Sequence, residues 1–185
     1  MSDEIRIIRS RRKTMSIEVR PEGVVVRVPR WVLRAEIDRF IAKNEDWIRA
    51  QRKKAEAAEQ RLAGAIPLTE GGLALLTERA KEIIPERVAH YAPLLDVDYG
   101  RITIRHQRTR WGSCSAKGNL NFNCLLLLAP PEVLDSVVVH ELCHRKHMDH
   151  SKAFYAEVRR VFPAYDRWNR WLKDNGRALL ARVPG

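Results

Sequence analysis

Cysteine is scarce in this chain of 185 residues: there are 3, and no two of them form a C-x-x-C pair. An odd count without paired spacing argues against a disulfide framework and for a reducing, cytoplasmic compartment. Long apolar runs are missing too. The longest, Cys124 to Pro131, falls far short of the roughly 20 residues a membrane-spanning helix needs, so no membrane association is expected. The opening MSDEIRIIRSRRK is charged and has no apolar h-region, so it does not resemble a signal peptide. There is no P-loop, no carboxylate cluster suited to Mg²⁺, and no zinc-finger, homeodomain or RNA-binding motif. Acid is in deficit, with 23 Asp and Glu against 34 Lys and Arg and a net charge of +11. That balance favours attraction to a nucleic acid, a nucleotide or another polyanion. Basic residues gather at Arg6, Arg9, Arg11, Arg12 and Lys13 and again at Arg49, Arg52, Lys53 and Lys54. A solvated turn and helix surface is the plainer account of both clusters.

What is present centres on His140-Glu141-Leu142-Cys143-His144. On a helix four residues turn through 400° and rise about 6 Å, so both imidazoles share one face and can take one Zn²⁺ at about 2.0–2.1 Å. Glu141 stands one step round, where it can accept a proton from metal-bound water. A shuffled chain of this composition would contain the H-E-x-x-H pattern only about 0.015 times. The bland alternative is a buried helix carrying two hydrogen-bonded His. Pro130 and Pro131 precede Glu132 and mark a helix start. The following Val133, Leu134, Val137, Val138, Val139 and Leu142 are apolar nearly all round, the pattern of a buried helix. The three-valine run alone is equally compatible with a strand. Cys143 is expected to be a small core residue.

Catalytic zinc usually has three protein ligands and one water. His147 lies on the same helical face but about 10.5 Å along the axis from His140, too far to join. His150 joins only if the chain turns after the helix. Met148-Asp149-His150-Ser151 is such a turn, with Asp149 or Ser151 capping a next helix, Ala153 to Val161. His150 is therefore the expected third ligand. Asp149 is the runner-up ligand, or else a cap or an imidazole partner, and His147 is expected to face solvent or an imidazole.

Along the chain, Met15, Ile17 and Val19, then Val24, Val26 and Val28, alternate with other residues as half-buried antiparallel strands, joined by Pro21-Glu22-Gly23. Ile5, Ile7 and Ile8 suggest an earlier strand. Leu33, Ile37, Phe40 and Ile41 share a helical face, Asn44 interrupts, and Trp47 opens a second helix. Gly64, Pro67 and Gly71-Gly72 break the chain and divide residues 1–64 from residues 65–185. A helix from about Leu73 to Tyr91 follows, with Leu75, Leu76, Ala80, Ile83, Ile84 and Val88 as its apolar set, and Pro85 predicting a kink or break. Arg101 to His106 and Leu120 to Leu125 alternate as strands. Thr109 to Ser115 looks turn-like. Tyr165, Trp168, Trp171 and Leu172 mark a last helix, its aromatics serving packing.

Thr109-Arg110-Trp111-Gly112-Ser113-Cys114, the Leu120-Asn121-Phe122-Asn123 strand, the His140 motif, and Asp149-His150-Ser151 with Phe154 together resemble the YgjP-like metallopeptidase-like proteins. Val28-Pro29, Asp46-Trp47-Ile48 and the Arg-rich early strands fit the same family. More distantly, the chain is similar to SprT-like proteases, which act on protein bound to DNA. The resemblance implies an α+β, zincin-like fold: a small mixed sheet, an HExxH active-site helix and a following helix, with an N-terminal antiparallel β/helical extension. It implies a metal held at His140, His144 and His150, with Glu141 as base. The family's usual Asn before the third His is Asp149 here.

The leading expectation is a zinc metallopeptidase, with Mn²⁺, Co²⁺ or Ni²⁺ as other metals such a site accepts. A substrate peptide or protein would add to the Leu120–Leu125 strand if that strand is a sheet edge, although an ordinary core strand is the simpler reading. Candidate oxyanion stabilisers are His106, Arg108, Arg110 and Tyr155, none singled out. The first rival is metal-dependent hydrolysis of a nucleotide phosphoanhydride. The second is a nucleic-acid-associated binding module with a structural zinc, which would normally need four protein ligands.

Overall fold

The computed structural model describes residues 5–20 and 23–184, so Pro21 and Glu22 of the expected turn lie outside the described residues. The chain divides into two compact units, Met1–Ala63 and Gly64–Gly185.

The first unit contains β1 (Ile5–Ser10), β2 (Ser16–Arg20), β3 (Gly23–Pro29), α1 (Arg34–Lys43) and α2 (Glu45–Ala63). Its sheet has the order β1-β3-β2. β2 runs antiparallel to β3, with Ile17 opposite Val26. β1 runs parallel to β3, with Ile7 opposite the same Val26. The expected all-antiparallel extension is therefore a mixed sheet. Alternation says which face of a strand is buried, but not which way its neighbour runs. Val24, Val26 and Val28 pack with Ile37 of α1 and Ile48 of α2 as the core of this unit. Asn44 separates the two helices: its amide and side chain donate to the Ile41 and Phe40 carbonyls at 3.0 and 2.7 Å.

The second unit contains α3 (Glu70–Leu95), β4 (Ile102–Arg105), β5 (Gly112–Cys114), β6 (Leu120–Asn123), a 3-10 turn (Cys124–Leu128), α4 (Pro131–Cys143), α5 (Lys152–Val161) and α6 (Tyr165–Leu180). α3 is longer than its pattern predicts. Thr69 Oγ1 accepts the Gly72 amide at 3.0 Å, so the Gly pair falls inside the first turn and does not break the chain. The helix runs as one element through Pro85. Leu75 is 73% exposed and does not belong to the buried face, which is built from Leu73, Ala80, Ile84, Val88, Tyr91 and Leu95.

The sheet order here is β4-β6-β5, with β4 parallel and β5 antiparallel to β6. β6 is the central strand, with Leu120 and Phe122 buried, so of the two readings of this segment the core strand holds and it offers no free edge. The Gly112–Cys114 stretch is not a turn but an edge strand, too short and polar for alternation to reveal it. α4 starts with Pro131 in its first turn, and its valines are helical. The core joins Leu120 and Phe122 to Ile84, Val88, Val138, Leu142, Phe154 and Val158. Arg87 clamps α3 to α4 with two bonds to Asp135: Nε to Oδ1 at 2.7 Å and Nη2 to Oδ2 at 2.8 Å. Arg145, just past α4, reaches the Asp98 carbonyl and carboxylate at 3.1 and 2.8 Å. Among the described residues, no helix is long and apolar enough to cross a membrane. Cys124 and Cys143 are buried and all three thiols are free.

Candidate metal centre

α4 carries His140 in its last turn and ends on His144 as its C-cap. The chain then reverses: the amides of Lys146 and His147 both bond the Cys143 carbonyl at 3.0 Å. Ser151 Oγ accepts the Phe154 amide at 3.3 Å and starts α5, while Asp149 Oδ1 accepts the Ser151 amide at 3.2 Å. This braced turn brings His150 back over the end of α4. The ring nitrogens of His140, His144 and His150 lie within 4.8 Å of one another. Nε2 of His150 stands 3.1 Å from Nε2 of His140. Two ligands about 2.05 Å from a tetrahedral centre stand about 3.3 Å apart, so this spacing suits a shared ion. The buried Phe154 ring stands against all three imidazoles, with centroids at 4.9, 4.7 and 4.9 Å. His140 and His144 are partly buried and His150 is exposed.

Two of the imidazoles are held from behind. His144 Nδ1 lies 3.0 Å from the His147 carbonyl, which only accepts, so Nδ1 carries the proton. His140 Nδ1 lies 2.8 Å from Tyr165 Oη on α6. Donation from Nδ1 to that oxygen leaves the His140 Nε2 lone pair facing the cluster. Burial, then the neighbouring His144 and His150, push the His140 pKa down to about 3. Burial also lowers that of His144. Both rings are therefore neutral at pH 7, as ligation requires. Burial pushes the Tyr165 phenol well above its ordinary range, so it stays protonated.

Glu141 is 6% exposed, and burial pushes its pKa up to about 8 in the metal-free chain. It packs against the backbone of β5. A Cβ built on Gly112 would come within 2.6 Å of Glu141 Oε1 and 2.9 Å of Cδ. Glycine is thus required at 112 by the carboxylic acid beside it. A cavity of about 250 Å³ adjoins His140, Glu141, Tyr165 and Gly112, with Arg110 and Asn169 also on its wall. The loop before β5 is pinned by Asn123, whose Nδ2 donates to the Gln107 and Arg110 carbonyls at 2.7 and 2.9 Å.

The remaining candidates are placed as follows. His147 contributes its backbone carbonyl to His144, and Asp149 braces Ser151; neither belongs to the cluster of three. Arg108 is a loop brace, donating to the Pro184 carbonyl at 2.6 Å. His106 is exposed. Tyr155 lies beside His150, with centroids 6.1 Å apart. Tyr165, Gly112 and Asn123 went unrecognised in the sequence. Tyr165 is one of several aromatics at helical spacing, and nothing local marks it as the one that meets His140.

A model of the family described as "YgjP-like, metallopeptidase domain" matches residues 13–73 and 72–175. Among solved structures, the metallopeptidase zymogen abylysin of Pyrococcus abyssi is similar at 24% identity and a TM-score of 0.46, over 51% of this chain and 97% of its own. The zymogen jannalysin of Methanocaldococcus jannaschii is similar at 23% identity and a TM-score of 0.44, over 49% of this chain and 93% of its own. No match was found among curated protein sequences.

Proposed function

Because the chain belongs to the YgjP-like metallopeptidase-domain family, we propose that it is a metal-dependent hydrolase of peptide bonds, with zinc at His140, His144 and His150 and Glu141 as general base. The observation that carries this reading is the convergence of three imidazoles beside one buried carboxylic acid. A divalent ion bound there would polarise a carbonyl and acidify a water. Beside such a charge Glu141, which burial otherwise keeps protonated, would ionise and serve as the base. Glu141 then takes a proton from the attacking water and passes it to the leaving amine. Tyr165 and the His147 carbonyl bond Nδ1 of His140 and His144, which holds both rings in place from behind.

The substrate's path follows from the sheet. β5 pairs with β6 on one side only, and its Gly112 touches Glu141. An extended peptide added along the free side of β5 would run beside the base, held by backbone hydrogen bonds. Three protein ligands rather than four suit a catalytic site better than a structural one. Among the described residues no other cluster of metal-binding side chains occurs, which leaves the nucleotide-hydrolase reading without a Mg²⁺ site.

The test is a panel of peptides and nucleoside triphosphates offered to zinc-loaded protein. Peptide cleavage that Glu141→Gln abolishes, with zinc still bound, is the expected result. Release of phosphate or pyrophosphate without peptide cleavage overturns the proposal.

A further inference from the structure

The first unit carries a feature that the metal centre does not use. Trp31, in the turn between β3 and α1, is 72% exposed. It lines an open depression of about 470 Å³. Met15 and Phe40, which pack against the core of this unit, supply further apolar surface there. Three exposed cations, Lys13, Arg39 and Lys43, surround it. The acid among its lining residues, Glu36, is engaged by the Leu33 amide at 3.4 Å. An indole left in water beside three cations is complementary to a ligand that offers a flat apolar face and negative charge together.

A single-stranded nucleic acid offers both in every repeating unit: an unstacked base and a phosphate. A duplex keeps its base faces stacked inside, out of reach of an indole. An acidic peptide satisfies the cations but supplies no regular planar face. We propose that this depression is a binding site for single-stranded nucleic acid, with Trp31 stacking on a base and Lys13, Arg39 and Lys43 neutralising nearby phosphates. The chain's overall charge of +11 draws such a ligand in from a distance. The site shares no residue with the metal centre, so it stands or falls independently of the hydrolase reading.

The experiment is fluorescence anisotropy of a labelled single-stranded oligonucleotide titrated with the full chain over a range of salt concentrations. Trp31→Ala is expected to weaken binding about 5- to 100-fold, and Trp31→Phe to restore most of it. Replacing Lys13, Arg39 and Lys43 by Glu is expected to make the salt dependence shallower by about 2 in log–log slope. A charge-matched control replaces the exposed Arg79, Arg101 and Lys117 by Glu and is expected to change binding less. The inference is overturned if Trp31→Ala binds as the unaltered chain does, or if the control triple loses as much as the site triple. It is also overturned if a polyglutamate peptide binds as tightly and is insensitive to Trp31→Ala, which would mark a general polyanion surface.

Discussion

Tyr165 Oη and His140 Nδ1 lie 2.8 Å apart, joining the first residue of α6 to the last turn of α4. The phenol is 4% exposed and its ring is nearly parallel to the imidazole, at 15°. It fixes the orientation of the His140 ring.

Tyr165→Phe keeps the ring and removes the acceptor. Zinc affinity is expected to fall about 10- to 100-fold, the usual cost of losing an outer partner of a metal-binding His. Competition with a chromophoric chelator measures it, and an unchanged affinity would show that the phenol plays no part in positioning His140.

Gly112→Ala places a methyl group within 3 Å of three Glu141 side-chain atoms. Glu141 must shift, whereas no imidazole atom is among the three atoms nearest that methyl. Peptide hydrolysis is expected to drop on the order of 100-fold, with zinc affinity nearly unchanged. Parallel activity and metal titrations separate the two effects.

Glu141 sets a pH dependence on the metal-free chain. Its folded pKa is raised from 4.5 to about 8, so the unfolded chain releases this proton first as pH rises. Stability attributable to this group is therefore full below pH 4.5 and is lost as pH rises through about 8, by on the order of 5 kcal/mol. Glu141→Gln removes that loss. Urea unfolding of chelator-treated protein at pH 5 and pH 8.5 is expected to show a smaller difference for the variant.

The Arg87–Asp135 pair ties α3 to α4 through two hydrogen bonds. The Asp135 side chain is only 11% exposed, so Arg87→Leu leaves a buried carboxylate without its partner. A loss of about 3 kcal/mol is expected in denaturant unfolding. Replacing both residues by apolar ones is expected to cost less than the single change.

Several elements were legible because their signals are local. Pro131 announces the start of α4, Asn44 separates α1 from α2, and the Ser151 hydroxyl begins α5. Each is a matter of residues within one turn of one another. Pro85 does not break α3, because a helix held by its buried face tolerates a missing amide. Leu75 lies two residues past the buried Leu73, about 200° round the helix, and so falls on the solvent side of α3.

The chain alone determined where most helices lie and that His140 and His144 stand one helical turn apart, since both follow from backbone periodicity. The parallel pairings of β1 with β3 and of β4 with β6, and the central place of β6, were decided only by tertiary structure. So were the meeting of Tyr165 with His140 and of Gly112 with Glu141. These join residues up to 29 positions apart, Gly112 with Glu141 being the widest. Such pairings are chosen by which faces can be buried together, and no local spacing encodes them.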